Sequence, residues 1–174
     1  MIQISSDTLP YPLLRPEFTH SLAARLLQGA SINLTAPHGL GRRRTVQDLR
    51  TLLPPDMFVL YADMKLCADD FTGTLSELCA QANLKNGNIP DLGQLIDALG
   101  KTRKATLLIL HNIDLLRGTP HDRLFDTALL PSLTHIAEYP QLALLTVSEA
   151  IHPDWPLPCE HLPLPPRDGA IAGI

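Results

Sequence analysis

Cysteine and aromatic residues are scarce in this sequence, and each scarcity excludes a class of protein. The 174 residues include three cysteines, Cys67, Cys79 and Cys159, which lie far apart and form no Cys-x-x-Cys pair. We therefore expect neither a disulfide framework nor a zinc knuckle, and we expect a reducing compartment, the cytoplasm. The aromatic residues (4 Phe, 3 Tyr and 1 Trp) are too few to favour a base-stacking platform.

An excess of positive charge and long apolar runs are also missing. The 14 Lys and Arg against 18 Asp and Glu give a net charge of -4, which excludes a strongly basic nucleic-acid coat but not a local basic patch. The apolar stretch at 105–110 is too short to span a bilayer, and the N-terminal residues lack the pattern of a signal peptide. With 45% hydrophobic residues, the chain is expected to fold as one domain.

Proline, in contrast, is abundant, and it separates the periodic segments of the chain. Six of the 16 prolines lie between Pro153 and Pro166, where an extended segment is expected. Strands are predicted at 31–35, 57–62, 105–110, 142–147 and 160–164, the last only at an edge because of Pro163. Helices are predicted from Pro16 to Gly29 and at 42–53, 74–84, 91–100 and 119–138, the last one kinked or split by Pro131. This alternation predicts an α/β fold with a parallel sheet covered on both faces, as in any small doubly wound domain.

A glycine-bearing loop joins the first predicted strand to the following helix. The strand SINLT is followed by Ala36-Pro-His-Gly-Leu-Gly41 and then by Arg42, Arg43 and Arg44. Backbone N–H groups at such a helix N-terminus converge on one point and favour an anion. The loop therefore predicts a phosphate-binding site.

These segments resemble the P-loop NTPases, specifically their AAA+/STAND branch. INLTAPHGLGRRRTVQDL, preceded by Arg15 and a helix, is similar to the family's opening box and Walker A motif. LLILHNIDLL is similar to its Walker B strand, LALLTVSEA to its sensor-1 strand and EHLPLPP to its short fifth strand. The strand–helix alternation and the position of the loop predict a five-stranded sheet in the order 5-1-4-3-2.

The first departure from the family pattern lies in the Walker A motif. Ala36 stands at its first glycine and Gly41 at its second. Arg42 stands at the lysine and Arg43 at the Ser/Thr that ligates magnesium in the family. An arginine at that position repels a cation instead of binding it.

The second departure lies in the Walker B motif. His111 stands at the magnesium-side Asp and Asn112 at the catalytic Glu, while Asp114 follows these positions without occupying either. We therefore expect a pseudo-ATPase with no catalytic residue and no metal ligand. His111 is alternatively an ordinary hydrogen-bonded buried histidine, and Asp63, after the second strand, either contacts a ligand or caps the next loop.

The candidate site residues follow from the loop and from the resemblance. The phosphate- or nucleotide-binding candidates are Gly39, Leu40, Gly41, Arg42, Arg43 and Arg44. Ser148 stands at the sensor-1 position, although an ordinary serine at a strand end explains it equally well. The expected ligand is ATP, ADP or phosphate without magnesium.

Three functions remain open at this stage. The first is a protein-interaction or assembly module in a larger complex or homo-oligomer. The second is a divergent ATPase that is active only with a partner, and the third, less favoured, is a nucleic-acid adaptor. The expected organisation is an N-terminal arm at 1–15, a P-loop-like domain at 16–166 and a tail at 167–174, without the family's helical lid domain.

Overall fold

The computed structural model describes residues 12–67, 70–84, 91–116, 129–150 and 157–166. The five strands are β1 (Ser31–Thr35), β2 (Phe58–Asp63), β3 (Thr106–His111), β4 (Leu142–Ser148) and β5 (Glu160–Pro163). The helices are α1 (Pro16–Leu27), α2 (Arg42–Thr51), α3 (Met64–Cys67), α4 (Phe71–Gln81), α5 (Leu92–Lys101) and α6 (Leu130–Leu133), with 3₁₀ helices at Ile113–Leu116 and Thr134–Glu138.

All five strands pair in parallel, in the order β2-β3-β4-β1-β5. This is the predicted order 5-1-4-3-2, and the predicted α/β class is confirmed. Pro163, which has no N–H to donate, lies in the edge strand β5, as its chemistry requires. The parallel arrangement brings the carboxyl ends of all five strands to one edge of the sheet.

Helices cover both faces of the sheet, which explains the continuous apolar runs in its central strands. Every residue of β3 and β4 is buried. On one face, α1 and α2 pack side chains such as Leu22 and Leu49 against Leu34 and Leu145. On the other face, α4, α5 and α6 form a second core around Leu108.

Aspartate caps determine where two of the helices begin. The Asp70 carboxylate accepts a hydrogen bond from Gly73 N at 2.8 Å, so α4 begins at Phe71, three residues before the predicted start at Thr74. Asp91 caps α5 through Gln94 N at 2.8 Å, so this helix begins at Leu92, one residue after the predicted start.

The structure revises two further boundaries. The strand predicted at 105–110 ends one residue later, so His111 is the last residue of β3 and does not follow the strand. The helix predicted at 119–138 lies outside the described residues up to 128. Beyond 128 it is the short helix α6, with Pro131 in its first turn, followed by a 3₁₀ helix. No helix in the described ranges has the length and apolar character to cross a membrane.

Candidate phosphate-binding site

The loop between β1 and α2 contains two glycines in a left-handed backbone conformation, a feature found in anion-binding loops. Gly39 and Gly41 have φ values of 88° and 83°, in the left-handed region that glycine adopts without a steric penalty. Gly41 is the N-cap of α2, and no side chain caps this helix end. The first turn of α2 contains no acidic residue, so no carboxylate within that turn neutralises the partial positive charge of the helix N-terminus.

Arg15 holds this loop in place through hydrogen bonds to three segments of the chain. Its guanidinium donates to the Leu40 carbonyl at 2.6 Å, to Thr45 Oγ1 at 2.9 Å and to the Pro165 carbonyl at 2.6 Å. The side chain is 1% exposed. Arg15 thus connects the loop, α2 and the segment after β5. In the sequence, its place before the first helix was the only indication of this role.

Arg42, at the first position of α2, is also buried and is bound to the residue that follows β3. Its guanidinium donates to Asn112 Oδ1 at 3.0 Å and to the Ala36 carbonyl at 3.3 Å, and lies 3.0 Å from His38 Nδ1. Asn112 has φ 58°, a left-handed conformation that Asn tolerates better than most residues. Asn112 therefore acts as a hydrogen-bonding link between Arg42 and Asp63.

Asp63, at the carboxyl end of β2, completes this network. Its Oδ1 accepts from Asn112 Nδ2 at 2.9 Å and from Lys65 N at 3.0 Å, and its Oδ2 accepts from Arg43 at 3.2 Å. Burial opposes ionisation of this carboxyl, but the hydrogen bonds from Asn112, Lys65 and Arg43 outweigh burial and lower its pKa. The chain Arg42–Asn112–Asp63–Arg43 is therefore a continuous, charge-bearing hydrogen-bond network.

His111 lies beside this network as a neutral, buried side chain. Its Nδ1 is 3.0 Å from the Tyr61 hydroxyl. Burial lowers the pKa of His111 from 6.5 to about 4; Asp63 opposes this shift, and Arg43 and Arg42 add to it. At neutral pH the residue has no charge with which to attract or repel a ligand.

A cavity of about 360 Å³ opens above these residues. It is lined by His38, Gly39, Gly41, Arg42, Arg43, Lys65, His111, Asn112 and Leu115. Three of these residues are cationic and none is acidic, so the cavity is suited to an anion. Lys65 was not among the sequence-based candidates. The only signal for it was its place just after β2, at the edge where the carboxyl ends of the strands meet.

The other predicted site residues lie elsewhere. Arg44 donates to Asp48 Oδ1 at 3.0 Å and to the Pro12 carbonyl at 2.6 Å, and the structure does not place it in the cavity lining. Leu40 contributes its carbonyl to Arg15, while its side chain is exposed.

Asp114 and Ser148 are likewise outside the lining. Asp114 accepts from Glu149 N at 2.8 Å and so fixes the segment that follows β4. The Ser148 hydroxyl donates to the Ala150 carbonyl at 2.9 Å and lies 3.3 Å from Asn33 Oδ1. These contacts give Ser148 a structural role at the end of its strand.

The sheet order, the loop and the position of the cavity define the fold of the AAA+ P-loop NTPases, and solved structures of that class are similar to this chain. A chain of Drosophila ORC bound to DNA is 15% identical, with a TM-score of 0.55, and the match covers 76% of this chain and 37% of that one. C. elegans PCH-2 is 13% identical, with a TM-score of 0.51, over 87% of this chain and 42% of that one.

A chain of Drosophila ORC bound to AT-rich DNA and Cdc6 is 18% identical, with a TM-score of 0.51, and the match covers 81% of this chain and 47% of that one. The chain thus spans less than half the length of each of these proteins. No protein-family model and no curated protein sequence matches it. The likeness at these identities establishes the fold.

Proposed function

We propose that this chain is a degenerate P-loop domain that binds the phosphate groups of ATP or ADP, or free phosphate, without magnesium and without efficient hydrolysis. The cavity at the N-terminus of α2 supports this proposal, because its lining combines three cationic side chains with the two left-handed glycines of the loop. Arginine binds phosphate in a bidentate manner, so Arg42 and Arg43 supply charge that magnesium supplies elsewhere in the family.

The chemistry of the site opposes magnesium binding. Mg²⁺ prefers oxygen ligands in near-octahedral geometry, and no carboxylate is among the described residues that line the cavity. The family's hydroxyl position holds Arg43, and its aspartate position holds the neutral His111. Asn112, at the position of the catalytic base, has no carboxylate with which to activate a water molecule. The missing groups are the ones that a hydrolytic reaction needs.

A thermal-shift experiment tests phosphate binding. At a ligand concentration of one hundred times Kd, binding stabilises the fold by about 2.7 kcal/mol. For a domain of this size that raises Tm by roughly 5–10 °C. We expect phosphate and ATP to raise Tm at low salt, and we expect added Mg²⁺ to reduce the effect of ATP. The Arg42→Ala/Arg43→Ala double variant should lose the shift.

Arg25→Ala is the matched control for the loss of Arg43 in the double variant. Each substitution removes one arginine that is paired with a carboxylate, but the Arg25–Glu160 pair lies between α1 and β5. Arg25→Ala should retain the shift. If neither anion changes the wild-type Tm, the proposal is wrong. Magnesium-dependent ATP turnover near a typical ~10 per second, abolished by Arg42→Ala, would instead establish a divergent ATPase.

We further propose that the domain works within a protein complex, either with another protein or as a homo-oligomer. Leu66 is 81% exposed and lies on α3, next to the cavity residue Lys65. Leu40 and Leu115, near the same opening, are also exposed. Sedimentation velocity tests the homo-oligomer: Leu66→Ser should lower the association constant, whereas Leu27→Ser, on α1, should leave it unchanged. If the wild type is monomeric, the homo-oligomer is excluded and the proposed complex must contain a different protein.

The contacts of the three arginines disfavour a nucleic-acid adaptor. Arg42 is buried and Arg44 is bound to Asp48, so the three residues do not form one exposed basic patch. We retain as proposals a cytoplasmic location, an arm at 1–15, a P-loop-like domain at 16–166 and a tail at 167–174.

A further inference from the structure

A second group of ligand-type side chains lies away from the phosphate cavity, where α5 meets the 3₁₀ helix Thr134–Glu138. It consists of Asp97 on α5 and of His135 and Glu138 on the 3₁₀ helix. One donor atom from each of the three side chains lies within 4.8 Å of the other two. The Asp97 carboxylate and His135 Nδ1 are already 3.3 Å apart.

The local fold places these side chains together. A 3₁₀ helix has three residues per turn, so His135 and Glu138 lie directly above one another. Between them, Ile136 is buried in the core on the opposite side, which holds the two donors toward the surface. This part of the helix packs against α5 and thereby faces Asp97.

Tyr139 orients the carboxylate of Asp97. Its hydroxyl donates to Asp97 Oδ1 at 2.9 Å. Its ring lies directly against Gly100, where a Cβ atom would collide with it, so the position of the ring is fixed by packing. The hydrogen bond from Tyr139, followed by that from His135, lowers the pKa of Asp97, and Lys101 nearby acts in the same direction. The carboxylate is therefore ionised well below neutral pH.

We propose that Asp97, His135 and Glu138 form a binding site for a transition-metal dication such as Zn²⁺. One imidazole nitrogen and two carboxylates are a ligand set that zinc accepts, and a water molecule completes a tetrahedral site. The two carboxylates neutralise the charge of the ion, and the Tyr139 hydroxyl is the outer hydrogen bond that holds a metal-ligating carboxylate in place. Ligand atoms around tetrahedral zinc lie about 3.4 Å apart. The three donor atoms already lie within 4.8 Å of one another, so each pair needs only a small approach to reach that spacing. The sequence alone does not reveal this site, because Asp97 is distant in sequence from the His135-x-x-Glu138 pair.

Zinc titration of the untagged protein against a chromophoric chelator tests the site. We expect the wild type to bind one Zn²⁺ and Mg²⁺ not to compete. Loss of an outer hydrogen bond to a metal ligand lowers metal affinity by about 10–100-fold. Loss of a ligand should cost at least as much, so His135→Ala and Asp97→Asn should each weaken Zn²⁺ binding by at least about tenfold. Tyr139→Phe should weaken it while leaving all three ligands in place. His20→Ala, which removes an exposed histidine on α1, is the matched control and should bind as the wild type does.

Failure of the wild type to bind Zn²⁺ would overturn the proposal, and so would an unchanged Kd in His135→Ala. Asp97→Asn keeps the shape of the side chain, so it tests the ligand set even where His135→Ala perturbs the fold. In the wild type, the His135 ring resonances should shift on addition of Zn²⁺, and their constancy would likewise refute the site. The phosphate-induced Tm shift does not depend on this result.

Discussion

Replacing Arg15 with alanine should destabilise the domain strongly and should also loosen its phosphate loop. The Arg15 guanidinium donates to three acceptors, the carbonyls of Leu40 and Pro165 and the hydroxyl of Thr45. These acceptors belong to three separate segments of the chain. Alanine removes all of these donors together, so the buried Thr45 hydroxyl and the two partly buried carbonyls lose this partner.

The magnitude follows from the burial of the group. A hydrogen bond to a charged group contributes about 1.5–3 kcal/mol, but bonds of one side chain are not additive. We therefore expect Arg15→Ala to lower the free energy of unfolding by about 3 kcal/mol, near the upper value for one such bond and below the sum of three. Arg15→Lys keeps the charge but cannot span the three acceptors, so it should recover only part of the loss.

Urea denaturation at pH 7 measures this effect, with Arg25→Ala as the control. Arg25 forms an exposed ion pair with Glu160, and removing such a pair costs about 0–1 kcal/mol. A loss below about 1 kcal/mol in Arg15→Ala, or one equal to that of Arg25→Ala, would contradict the role assigned to the three bonds. Arg15→Lys should retain enough stability for binding to be measured. Its phosphate affinity should fall as well, because the bond from Arg15 to the Leu40 carbonyl holds the loop in place.

The remaining predictions concern acid stability and the loop backbone. Burial lowers the pKa of His111 from 6.5 to about 4, so between these pH values the imidazole is protonated in the unfolded chain and neutral in the folded chain. This contribution to stability is complete above pH 6.5 and falls by up to about 3 kcal/mol as the pH drops to 4. Denaturation at several pH values should show this slope, and His111→Gln should flatten it; equal slopes would contradict the assignment. Gly39→Ala should cost about 1 kcal/mol, because its φ is 88° but a Cβ meets no neighbour. Gly29→Ala, with φ 87° and the Pro140 carbonyl in the path of the Cβ, should cost clearly more in the same urea assay, and equal losses would show that strain alone decides.

The periodicity of the sequence was sufficient to predict the sheet. Strands buried on both faces give continuous apolar runs, and both β3 and β4 are such runs. The loop at 36–41 was predictable for a different reason, since Gly39 and Gly41 are needed where the backbone becomes left-handed. Both signals are local in sequence, so they can be recognised without knowledge of the tertiary structure.

The hydrogen-bond network of the site was not predictable, because it depends on contacts between segments that are distant in sequence. Three consecutive arginines have the same chemistry in the sequence, yet Arg42 turns inward to Asn112, Arg43 bonds to Asp63 and Arg44 bonds to Asp48. Helical geometry explains the divergence, since successive residues of α2 point about 100° apart. The start of α4 was missed for a related reason: Asp70 and Thr74 both offer a plausible cap, and only the folded chain selects Asp70.

The side chains at positions 42, 43, 63 and 112 satisfy one another, as they must if the proposed degenerate site is a stable structure. An arginine at position 42 needs an acceptor, and Asn112 supplies an oxygen while its NH₂ group donates to Asp63. A glutamate at position 112 would place a second carboxylate beside Asp63, whereas asparagine bridges Arg42 and Asp63 without adding charge. Asp63 in turn accepts a hydrogen bond from Arg43. An Asn112→Glu variant would lose the donor to Asp63 and would place two carboxylates side by side, so it should destabilise the site and should not produce ATP hydrolysis.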